Sequence, residues 1–187
     1  MINLWFWLVP IASLMALGAA YFFFRQMMKE SEGTPEMARI ALHVRHGALA
    51  YLKQQYKVVG TVFLCLTALF SVLAYVLHIQ NPWVPFAFLT GGIFSGLAGF
   101  IGMRTATYAS ARTANAARDS LNHGLRVAFR SGAVMGLVVV GLGLFDVAAW
   151  FLILTRFYPI TTDHSEASRN LVVITTTMLT FGMGAAV

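Results

Sequence analysis

Charge is what this sequence has least of. Charged residues make up only 11% of its 187 positions, where a soluble domain carries about 25%. Just seven residues are acidic, and they form no carboxylate cluster. Cysteine is nearly absent: Cys65 stands alone inside an apolar run, which excludes an intrachain disulfide and a cysteine metal cluster. No P-loop glycine signature and no Ser/His/Asp constellation is present. Hydrophobic residues instead reach 58%, above the roughly 45–50% of soluble chains, and they fall in long runs. This is an integral membrane protein. A net charge of +6 would suggest nucleic acid as the partner of a soluble chain. Here the positive residues flank apolar runs and no aromatic-lined soluble surface accompanies them, so nucleic acid is excluded.

Ile2 to Phe24 is almost uninterruptedly apolar, long enough for the ~20 helical residues that cross a hydrocarbon core. It lacks the basic leader of a signal peptide and reads as a retained helix. Val58 to Ile79, Trp83 to Met103 and Ser131 to Thr155 are further spans, and Leu171 to Val187 begins a fifth. The expected fold is all-α, a polytopic bundle with four complete spans and part of another, in a single transmembrane region over 1–187. Lys and Arg are retained on the cytoplasmic side. Six lie between Arg25 and Lys57 and five between Arg104 and Arg130, with only Arg156 and Arg169 in the alternate connections. Loops 25–57 and 104–130 are therefore expected inside, and the N-terminus, the Gln80-Asn81-Pro82 turn and the 156–169 loop outside. The end at Val187, within a span that no basic residue follows, reads as a truncation.

The first inner loop carries a helix start at Thr34-Pro35-Glu36: a cap, a proline suited to the first turn, and an acid favouring the positive end of the helix dipole. At about 100° per residue, Met37, Ile40, Ala41, Val44, Ala48, Tyr51 and Leu52 share one face, and Arg39, His43, His46, Lys53 and Lys57 the other. Such a helix lies at the headgroups or against neighbouring helices, or binds a partner or anionic lipid. Further on, Gly92 with Gly96, Ser95 with Gly99, and Gly132 with Gly136 are small residues at four-residue spacing, joined by Gly141 and Gly143. They predict close helix packing within a larger bundle. Ser120 to Gly124 is the expected reversal between spans three and four, ended by a left-handed Asn or Gly.

Candidate chemistry is sparse. Arg104, Arg112 and Arg118 share an arc of helix, and Arg126 and Arg130 are one turn apart. They serve either as positive-inside anchors or as an attractor of a phosphate-bearing substrate. His43 and His46 have the spacing of a metal pair but no carboxylate or cysteine on their face. His78, His123 and His164 read as isolated. Asp146 is the one acidic residue well inside a span. It either carries or relays an ion, or is solvated or hydrogen-bonded to a neighbouring helix. Thr175, Thr176 and Thr177 are expected to bond to their own helix or to neighbours. No catalytic, cofactor-binding or metal-binding residue is assigned.

The stretch GMRTATYASARTANAARDSLNHGLRVAFRSGAVMGL resembles the third and fourth helices of the membrane-bound, ion-translocating inorganic pyrophosphatases. ESEGTPEMARIALHVRHGALAYLKQQYK resembles their first cytoplasmic loop, and VITTTMLTFGMGAAV the start of their fifth helix. The resemblance implies a bundle of some sixteen helices, usually a homodimer with outward termini. It also implies magnesium-dependent hydrolysis of pyrophosphate coupled to outward transport of sodium ions or protons, with potassium as an activator of some members. The family's catalytic carboxylates follow its fifth helix, so none can be placed here and this chain alone is expected to be inactive, with neither magnesium nor potassium bound to it. Its partners would be the remainder of the pump and a second subunit, in a bacterial inner membrane, and the general character leans toward a potassium-stimulated sodium pump. The alternative is a short non-enzymatic membrane protein that packs against or regulates an intact pump.

Overall fold

The structure, a computed structural model, describes residues 4–158 and 164–186. The expected start of span one at Ile2, part of the 156–169 loop and the end at Val187 lie outside them. One turn of 3-10 helix, Leu4–Trp7, leads into α1 (Leu8–Met28), followed by α2 (Pro35–Tyr75), α3 (Val84–Asp119), α4 (Leu121–Phe157) and α5 (His164–Ala186). The fold is all-α, and α1 to α4 are each long and apolar enough to cross a membrane. Leu14, Met15, Tyr21 and Phe22 of α1 are 58–67% exposed in this chain, which suits a helix whose surroundings are lipid or other helices.

The chain forms two compact units. The first comprises the described part of Met1–Pro10, Lys57–Gly96 and Gly143–Val187. Its core joins Ala87 of α3, Trp150 and Leu154 of α4 and Ile174 of α5, with Trp83 set edge-on to Trp150 at 6.2 Å between ring centroids. Small residues bring α3 and α5 to backbone contact. A Cβ on Gly91 would lie 2.4 Å from the Phe181 carbonyl oxygen, and one on Gly184 would lie 2.2 Å from that of Phe88. The Ser95 hydroxyl donates to the Ala185 carbonyl at 2.8 Å. Gly92 instead admits the ring of Phe63 from α2, which stacks on Phe88 at 4.7 Å. Helix α2 stops at Tyr75, four residues short of the end of the apolar run. There His78 takes a left-handed φ of 50°, and the Leu77 and Ile79 amides donate to the Val72 and Leu73 carbonyls.

The second unit comprises Ile11–Tyr56 and Leu97–Leu142. Two apolar clusters hold it, one of Ala20, Ala98, Val134 and Val138, the other of Met27, Ala109, Ala116 and Val127. Alanine and valine dominate because short side chains let helices approach. Gly141 accommodates Leu17, and its carbonyl accepts the buried Ser13 hydroxyl at 2.9 Å. A Cβ on Gly132 or Gly136 meets nothing within 4 Å, so that expected packing face finds no partner among the described residues.

Helix α2 starts as its sequence dictates, with the Met37 amide donating to the Thr34 hydroxyl after Gly33 at φ 90°. The inward stripe takes part of the apolar face and adds an arginine. Ala41, Leu52 and the half-buried Arg45 and Ala48 turn inward, while Ile40, Val44 and Tyr51 are exposed. An arginine occupies the interior stripe because carboxylate and aromatic partners await it there. The reversal between α3 and α4 is also tighter than expected. Only Ser120 is non-helical, capping α4 by accepting the His123 amide at 3.1 Å. Asn122 and Gly124 are already helical, and Gly124 serves close approach: a Cβ there would lie 2.8 Å from that of Ala117.

Candidate functional site

Polar chemistry gathers in two places, one in each unit. In the second, the segment after α1 reads Lys29-Glu30-Ser31-Glu32-Gly33, and both carboxylates point at arginines. Glu30 pairs with Arg130 at 3.3 Å and His123 at 3.2 Å. Glu32 pairs with Arg112 at 2.8 Å and with Arg45. The Arg112 guanidinium, on a residue only 7% exposed, also donates to the carbonyls of Glu30 and Tyr108 at 3.0 and 2.7 Å. It thereby links α3 to the connection between α1 and α2. Burial pushes the Glu32 carboxyl up, but the hydrogen bonds and charges of Arg45 and Arg112 outweigh it and hold the group below the ordinary carboxylate value.

Tyr108 stands at the middle of this cluster. Arg45 lies over its ring at 4.3 Å, with Arg104 and Arg112 each at 5.8 Å. Beside it opens a groove of about 290 Å³, walled by Ala48, Leu49, Leu52, Phe100 and Met103 on its apolar side and by Arg45, Arg104, Thr107 and Tyr108 on its polar side.

The arginines expected to act together are thus divided. Arg112 and Arg130 are neutralised by Glu32 and Glu30, and Arg118 donates to the Met37 sulfur at 3.8 Å. His123, expected to be isolated, is held by Glu30 and lies 3.6 Å from Asp119. His43 and His46 are both exposed, and among the described residues no three metal-ligating side chains gather. Glu30, Glu32 and Arg45 escaped the sequence reading. The available signal was two carboxylates, of only seven in the chain, one residue apart in a basic loop.

In the first unit, Asp146 is 3% exposed on α4 and hydrogen-bonded to Thr90 of α3. The Thr90 hydroxyl also accepts the Trp150 indole N–H at 2.8 Å and lies 3.1 Å from the Ala87 carbonyl. Oδ2 of Asp146 has no partner among the described residues. Thr175, Thr176 and Thr177 donate to carbonyls one turn back on α5, and Thr177 also accepts Asn81 Nδ2 at 3.3 Å.

Residues 14–187 match the family described as Inorganic H+ pyrophosphatase. The chain is 68% identical over 181 residues to a "Putative K(+)-stimulated pyrophosphate-energized sodium pump" of Bacteroides thetaiotaomicron, covering 97% of this chain and 24% of that protein. It is 39% identical over 144 residues to the "K(+)-insensitive pyrophosphate-energized proton pump 2" of Moorella thermoacetica, covering 77% and 20%. It is 41% identical over 128 residues to a "Putative K(+)-stimulated pyrophosphate-energized sodium pump" of Clostridium tetani, covering 68% and 18%. The chain therefore spans about a quarter or less of the length of these relatives. An all-helical chain with four membrane-spanning helices, matched over nearly its whole length, belongs to the inorganic H+ pyrophosphatase family.

Proposed function

We propose that these helices are scaffold in a pyrophosphate-energised sodium pump, which couples magnesium-dependent hydrolysis of pyrophosphate to outward ion transport. The observation that carries this reading is the 68% identity, over 97% of the chain, to a protein named as a potassium-stimulated sodium pump. Magnesium-assisted hydrolysis needs clustered carboxylates to hold the metal ions against the diphosphate. Glu30 and Glu32 instead neutralise arginine and histidine. That use supports a structural role for this region, with the hydrolytic residues elsewhere in the pump and the loops 25–57 and 104–130 on the cytoplasmic side. Inverted membrane vesicles bearing the native gene product should accumulate sodium when given magnesium and pyrophosphate, more with potassium present. The 187-residue chain purified alone should not hydrolyse pyrophosphate. Vesicles that neither hydrolyse it nor move sodium would overturn the assignment.

Asp146 belongs to the same reading as a tether between α3 and α4. Its Thr90 contact and its burial suit a polar crosslink, in which an amide can take the place of a carboxyl. Asp146→Asn should leave coupled sodium uptake within about twofold of wild type, a change of under roughly 0.5 kcal/mol. A collapse of transport with retained hydrolysis would make Asp146 an ion carrier.

A further inference from the structure

We infer that the groove beside Tyr108 is a binding site for one phospholipid with an anionic headgroup. The charge balance points there first. Three guanidinium groups, those of Arg45, Arg104 and Arg112, crowd the ring of Tyr108, and among the described residues the only carboxylate paired with any of them is Glu32. Arg45 and Arg112 share that carboxylate. Arg104, exposed at the groove, makes no side-chain hydrogen bond or ion pair among the described residues, and its guanidinium lies over the aromatic face. Nε of Arg45 is buried and has no acceptor among the described residues. Unbalanced positive charge next to apolar surface is costly, and an anion relieves it.

The opposite wall selects the kind of anion. Leu49, Leu52, Phe100 and Met103 line the apolar side of the groove, a surface that a free phosphate ion cannot use. An amphiphile matches both halves: its phosphate meets Arg104 while an acyl chain lies along the leucines. The chain has four membrane-spanning helices, so such an amphiphile is always at hand. Basic side chains at a membrane surface already favour anionic over zwitterionic lipid.

The test uses the product of the native gene purified from its own membrane in mild detergent, stripped of lipid, and followed by its thermal unfolding midpoint. Phosphatidylglycerol should raise the midpoint, while phosphatidylcholine and inorganic phosphate should not. Arg104→Gln should weaken the apparent affinity for phosphatidylglycerol about tenfold, the loss expected for one charge-assisted hydrogen bond. Leu49→Trp, which fills the apolar half and leaves every arginine in place, should weaken it as well and decides the matter if the first variant cannot be recovered. Equal stabilisation by phosphatidylcholine, or by inorganic phosphate alone, would overturn the proposal. So would a full phosphatidylglycerol response in either variant. No step reads pyrophosphate hydrolysis, so failure here is distinct from failure of the pump assignment.

Discussion

Gly184→Val and Gly91→Val should each destabilise the packing of α5 on α3 by about 3 kcal/mol, the upper range for overpacking a filled interface. The added Cβ would overlap backbone, the Phe88 carbonyl in one case and the Phe181 carbonyl in the other, at 2.2 and 2.4 Å. A flexible side chain could turn aside, but a helix backbone moves only as a whole. The same displacement would break the Ser95 hydrogen bond to the Ala185 carbonyl. One shift of α5 relieves both overlaps, so the double variant should cost about as much as one substitution, well short of the sum of roughly 6 kcal/mol. Thermal unfolding midpoints of the detergent-solubilised protein, measured for both single variants and the double, provide the cycle. Full additivity would mean that the two glycines do not share an interface.

Much of the fold was legible because membrane helices leave a strong trace. Apolar runs of span length, arginines at their ends, and the Thr34-Pro35-Glu36 start all follow from local physics. Partner choice is less local. Four-residue spacing marked Gly92 and Ser95 correctly as contact positions, yet it equally marked Gly132 and Gly136, where an added Cβ would meet nothing within 4 Å among the described residues. Gly91 and Gly184, which make the closest approaches to backbone, belong to a pairing of α3 with α5 that no periodicity within one helix can reveal. Which residues of α2 pack inward was not legible, for a related reason. Hydrophobic periodicity gave no weight to Arg45, whereas the fold places it inside because Glu32 and Tyr108 are there to receive it.

The candidate site was legible only in its cations. A run of arginines reads the same whether each is solvated, lipid-facing or paired, and the Glu30 partner of Arg112 and Arg130 lies 82 and 100 residues away from them in sequence. Glu30 and Glu32 fall in what reads as a short linker. Their importance arises from the fold, which brings the α3–α4 hairpin against that linker. Asp146 was legible as an oddity, because a lone carboxylate in an apolar span is conspicuous at any register. Its neighbour Thr90 was not, since a threonine within a helix is unremarkable until an indole N–H is found 2.8 Å away.

Glu32→Gln should be the most damaging single change in the ionic cluster. It leaves Arg45 and Arg112, with side chains 15% and 9% exposed, facing one another without a counter-charge. Removing one member of a fully buried pair costs about 3–5 kcal/mol. The partial exposure of Glu32 lowers the expectation to about 2–3 kcal/mol. Glu30→Gln should cost about 1 kcal/mol or less, because Arg130 and His123 are 23% and 36% exposed and regain water more readily. The pH dependence separates lost charge from lost packing. The Glu32 carboxyl is held below its ordinary value of 4.5, so its contribution is complete above that value and disappears as pH falls through the lower, folded-state value. The gap between wild type and Glu32→Gln in unfolding midpoint should therefore stay level from neutral pH down to about 5 and narrow progressively as pH falls below the ordinary carboxylate value. A gap that persists undiminished in acid would show that Glu32 acts through shape and hydrogen bonding, and the electrostatic account of the cluster would fail.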